Sequence, residues 1–116
     1  MTHFKVDIQL PLKFNLEDGG EKIPEEYFFE TYEELLNMAG GISTNNTPIL
    51  GSWINPKDKK RYNDRSIVFS VVVESEDKMT LTNITKIKEL INYKEKLKER
   101  FKQKEIFMIA TRCVWL

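Results

Sequence analysis

The chain has 116 residues, with 18 basic and 18 acidic side chains, one cysteine and one histidine. This length fits a single domain, residues 1–116, that can bury a core without a metal or a disulfide. A net charge of zero gives no overall attraction to nucleic acid or to an anionic membrane, and it does little to keep copies apart. The single cysteine and the absence of a leader-like segment at the N-terminus predict a cytoplasmic protein.

The N-terminal segment alternates apolar and polar residues with a period of two. Every even position from Phe4 to Phe14 is apolar, whereas Lys5, Asp7 and Gln9 lie between them. Such alternation predicts a β-strand with one buried face and one solvated face.

Two amphipathic helices are predicted from apolar residues spaced three and four apart. The first begins near Pro24, which suits a first helical turn, and ends at Gly40, because glycine adopts the left-handed conformation of a C-terminal cap. The second covers about Asn83 to Lys102, with Thr82 or Asn83 as its cap. Its buried stripe is predicted to consist of Ile84, Ile87, Ile91, Leu97 and Phe101.

Three further strands are predicted at residues 47–54, 67–74 and 105–116, which are rich in β-branched and aromatic side chains. The element order is then β-α-β-β-α-β. With right-handed crossovers, this order predicts an α+β, ferredoxin-like sandwich. Its antiparallel sheet has four strands in the order 4-1-3-2, and both helices lie on one face.

The connection between the second and third predicted strands mixes basic and acidic residues: Lys57, Lys59, Lys60, Arg61, Asp58 and Asp64. A run of mixed sign is typical of a solvated hairpin tip. RNA-recognition domains share this element order, but they stack bases on aromatic residues of the central strands, and the polar face predicted here carries none. Nucleic-acid binding through the tip is therefore the least favoured of three functional hypotheses.

Residues with catalytic or metal-binding chemistry are few. Cys113 and His3 fall on strands predicted to be neighbours, and such a pair can generate a thiolate. No third residue that would orient His3 is indicated, so a structural thiol beside a surface imidazole is the favoured interpretation. No zinc, iron or calcium spacing and no glycine-rich phosphate loop occurs. We therefore expect no metal and no cofactor, and we name no catalytic residue.

One end of the predicted sheet collects a tryptophan and several polar residues: Trp53, Tyr62, Asp64, Arg65, Gln103 and Glu105. Such a group can form a small binding pocket. The alternative, which we favour, is that Trp53 packs over a helix end and the polar residues are surface groups. This interpretation predicts that Trp53 is largely buried.

Several short motifs together resemble a group of small bacterial proteins. They are GGIS at 40–43, GSW at 51–53, Asp64 ahead of VFSVVV, and RFKQKEI at 100–106, followed by Ala110 and a closing VWL. The chain departs from the group's pattern at Ser43, where threonine is expected, and at Lys104, where an acid is expected. The resemblance implies a ferredoxin-like fold, and it brings no known activity or catalytic residue.

From these observations we favour a non-enzymatic, self-associating binding or structural module. The alternative is a small-molecule enzyme of the dimeric α/β-barrel kind, with a cavity beneath the sheet. Val68, Val72 and the last strand leave apolar side chains on the sheet face away from the helices, more than a monomer usually exposes. We therefore expect a homodimer, formed through this face or through the edge of the last strand.

Overall fold

A computed structural model of the chain describes residues 2–45, 47–75 and 85–116. These residues confirm the α+β class, with five strands and two α-helices. In chain order they are β1 (Thr2–Pro11), a 3-10 turn (Leu16–Asp18), α1 (Glu25–Ala39), β2 (Ser43–Thr44), β3 (Ile49–Ile54), β4 (Arg61–Ser75), α2 (Thr85–Arg100) and β5 (Phe107–Cys113). Within the described ranges no helix is long and apolar enough to cross a membrane.

The sheet is antiparallel throughout, and its strands run in the order β5-β1-β4. Two short strands share the other edge of β4: β2 pairs with Phe69 and Ser70, and β3 pairs with residues 61–66. The prediction of four strands was therefore wrong by one. The extra strand, β2, has only two residues, which is too short to show a hydrophobic period.

The long strand β4 also begins six residues earlier than predicted, at Arg61 rather than at Ile67. Residues 61–65 were assigned to a polar connection because they include no run of apolar side chains. In the structure these five residues are exposed, so a strand here needs no buried face. Hydrophobic patterning gives no signal for a strand that is solvated on both sides.

The core lies between the helices and one face of the sheet. β1 contributes Phe4, Val6, Ile8 and Leu10, each no more than 2% exposed, which confirms the predicted alternation. β4 adds Phe69, Val71 and Val73, and the helices add residues such as Leu35, Leu97 and Phe101. All of these side chains belong to one continuous cluster.

Glycine ends α1 as expected. Gly40 has a φ of 80°, in the left-handed region, and its amide donates to the carbonyl of Leu36 at 2.7 Å. Pro24 lies at the N-cap position, one residue before the position predicted for it.

The buried stripe of α2 differs from the predicted one. Ile87, Leu97 and Phe101 are buried, but Ile91 is 51% exposed, and Leu90 and Tyr93 are buried instead. Steps of three residues from Ile87 to Leu90 and Tyr93 keep the stripe on one side, whereas Ile91 falls on the flank. The predicted residues Thr82, Asn83 and Ile84 lie outside the described part of the chain.

Two isoleucines one turn apart on α2 test this stripe. We expect Ile87→Ala to lower the free energy of unfolding by about 2–4 kcal/mol, because it removes buried methyl groups and leaves a cavity. The matched change Ile91→Ala should cost less than about 1 kcal/mol, because that side chain is half exposed. Urea unfolding of both variants measures the difference. Equal losses would mean that the helix is rotated from the orientation described.

Candidate functional site

The face of the sheet opposite the helices is called the open face here. Side chains on a strand alternate between faces, and cross-strand partners share a face. Asp7 pairs with Ser70 on one side and with Ile109 on the other, so these three residues lie together. The central part of the open face consists of Lys5, Asp7 and Gln9 of β1, Ser43 of β2, Ser66, Val68, Ser70 and Val72 of β4, and Phe107, Ile109 and Thr111 of β5.

Hydrogen bonds order the polar centre of the open face. The Ser70 hydroxyl donates to Asp7 Oδ1 at 2.5 Å, and Lys5 Nζ lies 3.8 Å from the same oxygen. One step along the strands, Gln9 Nε2 donates to Ser66 Oγ at 2.7 Å. Asp7 thus has a fixed orientation while its side chain stays 39% exposed. A carboxylate held in this way can face a cationic or hydrogen-bonding ligand.

Apolar side chains border this polar centre. Phe107 and Ile109 are 60% and 46% exposed, and Val68 and Val72 are half-buried. This agrees with the expectation that β4 and the last strand leave apolar groups on the open face. Small-molecule sites usually combine an apolar lining with a few oriented polar groups, and the open face has this composition.

A second feature is the hairpin arm, residues 49–65, formed by β3 and the start of β4. Ile54 pairs with Arg61 at its end, so the predicted hairpin tip is confirmed, and its four basic residues are exposed. The rings of Trp53 and Tyr62 stack with centroids 5.1 Å apart and an interplanar angle of 22°. The Tyr62 hydroxyl donates to Asp58 at 3.0 Å, and this bond raises the pKa of Tyr62.

The expectation that Trp53 is largely buried was wrong, since it is 51% exposed. β1 ends at Pro11, which pairs with Ser66, so the first residues of β4 run on beyond it. Trp53 pairs with Tyr62 in that extension, away from the cluster packed under the helices. Its large apolar ring suggested a core position, but the length of β4 decides its environment.

Three of the six predicted binding residues lie on one side of the arm. Trp53 faces Tyr62, and Asp64 pairs with Gly51 on the same side. Arg65 pairs with Leu50 and therefore points to the other side. The structure thus brings together Trp53, Tyr62 and Asp64, and separates them from Arg65.

The remaining two predicted residues lie beside α2. Glu105 Oε1 is 2.6 Å from Lys94 Nζ, and this bond, with a second from the backbone amide of Ile106, lowers the pKa of Glu105. Gln103 donates to the carbonyl of Phe101 and lines an open cleft of 480 Å³ between the 3-10 turn and the end of α2. The other side chains lining this cleft are charged, which is typical of a solvated surface.

The histidine and the cysteine also come together. His3 pairs with Cys113 on one side and with Glu74 on the other, and its Nε2 lies 3.3 Å from Glu74 Oε2. The ring of His3 stacks on Trp115 with centroids 6.0 Å apart. Sequence reasoning found the first pair and missed Glu74, which is identified by the register of β1 against β4. Among residues 2–45, 47–75 and 85–116 no three His, Cys, Asp or Glu side chains are placed to hold a metal ion.

A polar network joins the two helices on the other side of the sheet. Arg100 donates to Glu34 at 2.5 Å and to Thr31 at 2.7 Å, and the hydroxyl of Tyr93 donates to Glu34 at 3.0 Å. Burial and the bond to Glu34 raise the pKa of Tyr93 to about 12. Burial alone would raise the pKa of Glu34, but hydrogen bonds from Lys96, Arg100 and Tyr93 outweigh it, and the pKa is lowered. Because these groups satisfy one another, we interpret the network as structural.

No protein-family model and no curated protein matches the chain. Among solved structures, the chain is similar to one described as a phage SAM lyase in complex with S-methyl-5'-thioadenosine. The match has 16% sequence identity and a TM-score of 0.59, and it covers 97% of this chain and 90% of the other. At this identity the likeness concerns the fold. It contradicts our preference for a non-enzymatic module, because a chain of similar fold is an enzyme that holds a small molecule, and it favours the enzyme alternative.

The polar network predicts a pH-dependent stability. Because the pKa of Glu34 is lowered on folding, its contribution is present above the ordinary range of a glutamate and is lost as the pH falls below it. We expect Glu34→Gln to cost roughly 2 kcal/mol at pH 7, since charged hydrogen bonds are lost, and much less at pH 3. Urea unfolding at both pH values measures this. The neighbouring exposed Glu33→Gln is the control, and a pH-independent loss for Glu34→Gln would contradict the assignment.

Proposed function

We propose that this chain is a small enzyme that binds an adenosyl sulfur compound on its open face and cleaves a carbon–sulfur bond of the sulfonium form. The observation that carries the proposal is the likeness, over 97% of the chain, to a SAM lyase holding S-methyl-5'-thioadenosine. The open face supports it with chemistry of its own, because an ordered carboxylate lies within an apolar border.

Each part of such a ligand has a counterpart on the open face. A sulfonium is a cation of low polarity, and Asp7 with the neighbouring Ile109 and Phe107 offers a negative charge beside apolar surface. Lys5 suits the carboxylate of an amino-acid chain, and Gln9 can bond to polar groups of a ribose. Asp7 is the central residue of this proposal, because it alone among these groups can balance the positive charge of the sulfur.

The reaction needs little from the protein. When the carbon–sulfur bond breaks, its electron pair returns to sulfur, which becomes a neutral thioether. In one route the carbon that loses sulfur forms a bond to the substrate's own carboxylate oxygen, which gives a lactone. In the other route a neighbouring carbon gives up a proton to a base such as Asp7, and the electrons of that C–H bond form a double bond, which gives an alkene. Neither route uses a protein nucleophile, which is consistent with a sequence that displays no nucleophile motif.

The proposal includes the finer features expected from the sequence. Strand order and the two helices on one side support a ferredoxin-like sandwich, related to the small bacterial group with the GGIS and GSW motifs. Exposed Phe107 and Ile109 support a homodimer formed through the open face or the edge of β5. The protein is proposed to act in the cytoplasm. Of the six residues first considered for a binding site, we keep Trp53, Tyr62 and Asp64 as proposed binding residues, because they share one side of the hairpin arm.

Incubation with S-adenosylmethionine tests the function. We expect conversion to S-methyl-5'-thioadenosine, which chromatography measures. Mass spectrometry should identify the second product as a lactone or an alkene. Asp7→Asn should lower kcat/KM by about tenfold or more, because a charged contact worth roughly 1.5–3 kcal/mol is lost. The control Glu26→Gln, exposed at the start of α1, should behave as wild type.

Two results would contradict the proposal. One is a folded wild-type protein that neither converts S-adenosylmethionine nor binds S-methyl-5'-thioadenosine in calorimetry. The other is full activity of Asp7→Asn, which would move the reaction away from the open face. Circular dichroism and thermal unfolding of each variant separate a lost fold from a lost function.

A further inference from the structure

The hairpin arm is apolar on both of its faces. Leu50 and Ile54 are 72% and 64% exposed on one side, and Trp53 and Ile49 are 51% and 43% exposed on the other. A two-stranded ribbon is at best marginally stable in water unless another layer covers it. This much exposed apolar surface on a projecting element indicates that something packs against the arm.

The open face lacks a layer that would cover a bound ligand from above. Lys5, Phe107 and Ile109 are exposed, so the described residues cover only one side of a ligand lying there. Small-molecule sites bury most of the ligand surface. The proposed site therefore needs a second wall above the sheet.

The stacked pair of Trp53 and Tyr62 cannot be that wall within one copy. Tyr62 precedes Ser70, the partner of Asp7, by eight residues on the same strand, which corresponds to about 26 Å at a rise of ~3.3 Å per residue. A nucleoside-sized ligand bound at Asp7 does not span that length. Trp53 and Tyr62 can therefore contact such a ligand only from another chain.

A second copy of this chain meets both needs at once. Each copy has an apolar arm without a covering layer and an open face without a second wall, and the two cannot meet within one copy. In a two-fold pair each arm covers the open face of the other copy, so both surfaces are covered in both copies.

We propose that the hairpin arm of one copy lies across the open face of a second copy and brings Trp53 and Tyr62 to the Asp7 centre of that copy. The aromatic pair then stacks on the adenine ring, and each site consists of one copy's face and the other copy's arm. The role in ligand binding rests on the function proposed above, whereas the arm contact itself does not.

A cross-linking experiment tests the arm contact without any ligand. p-Benzoylphenylalanine replaces Ile54, and this variant, labelled with ¹⁵N, is mixed with unlabelled wild type and irradiated. We expect labelled arm peptides joined to unlabelled peptides from β1 or β5. Cross-links confined to labelled chains after full exchange, or a single 13.7 kDa species in sedimentation equilibrium at micromolar concentration, would overturn the proposal.

Mixing two defective variants tests the shared site. Asp7→Asn has an intact arm, and the double variant Trp53→Ala/Tyr62→Ala has an intact face. After exchange between copies, about one quarter of the sites combine an intact face with an intact arm, so we expect about one quarter of wild-type activity from a mixture in which each parent is much weaker.

The outcomes are distinguishable. No recovery on mixing, with both variants folded and cross-linking positive, would place the whole site within one copy and overturn the shared site. If the wild type neither converts S-adenosylmethionine nor binds S-methyl-5'-thioadenosine, the proposed function fails, and the cross-links still decide whether the arm contacts a second copy.

Discussion

The register of β1 against β4 determines most of what is distinctive in this molecule. Pro11 opposite Ser66 fixes every other pair, so that Asp7 meets Ser70 and His3 meets Glu74. Because β4 has five residues more than β1, the same register leaves the start of β4 without a central partner. That length pairs only with β3, and the two strands form the hairpin arm. A slip of one residue would turn the apolar face of β1 to water and would separate Asp7 from its serine.

A fold of this size leaves little interior space for a substrate, since one side of the sheet is filled by Phe4, Ile8, Phe101 and their neighbours. The other side is available for chemistry, and its polar groups are ordered by hydrogen bonds within the sheet. Polar groups that are ordered by the sheet itself do not need a short sequence motif, so a chain without a recognisable catalytic motif can still share the fold of an enzyme. The substrate proposed above already carries its leaving group as a cation, and under that proposal orientation and charge are the help that the open face would supply.

The sequence predicted the elements with strong periods and missed those without. The alternation from Phe4 to Leu10 predicted β1 and its buried face, and Gly40 predicted the end of α1. No hydrophobic pattern predicted β2 or the strand at residues 61–65, because these segments have no buried face. For the site, Asp7 and Gln9 were identified as residues of the polar face, but their hydrogen bonds depend on register, which one sequence does not contain. Trp53 was misplaced because exposure depends on where neighbouring strands stop.

The pairing of His3 with Cys113 has a consequence for the topology of the chain. The first and last strands are adjacent and antiparallel, so residues 3 and 113 lie side by side at the end of the sheet remote from the arm. A short linker could join these ends, and the backbone could be opened at an exposed turn such as Gly41 while every strand neighbour is kept. The order of elements along the chain is thus separable from their arrangement in space.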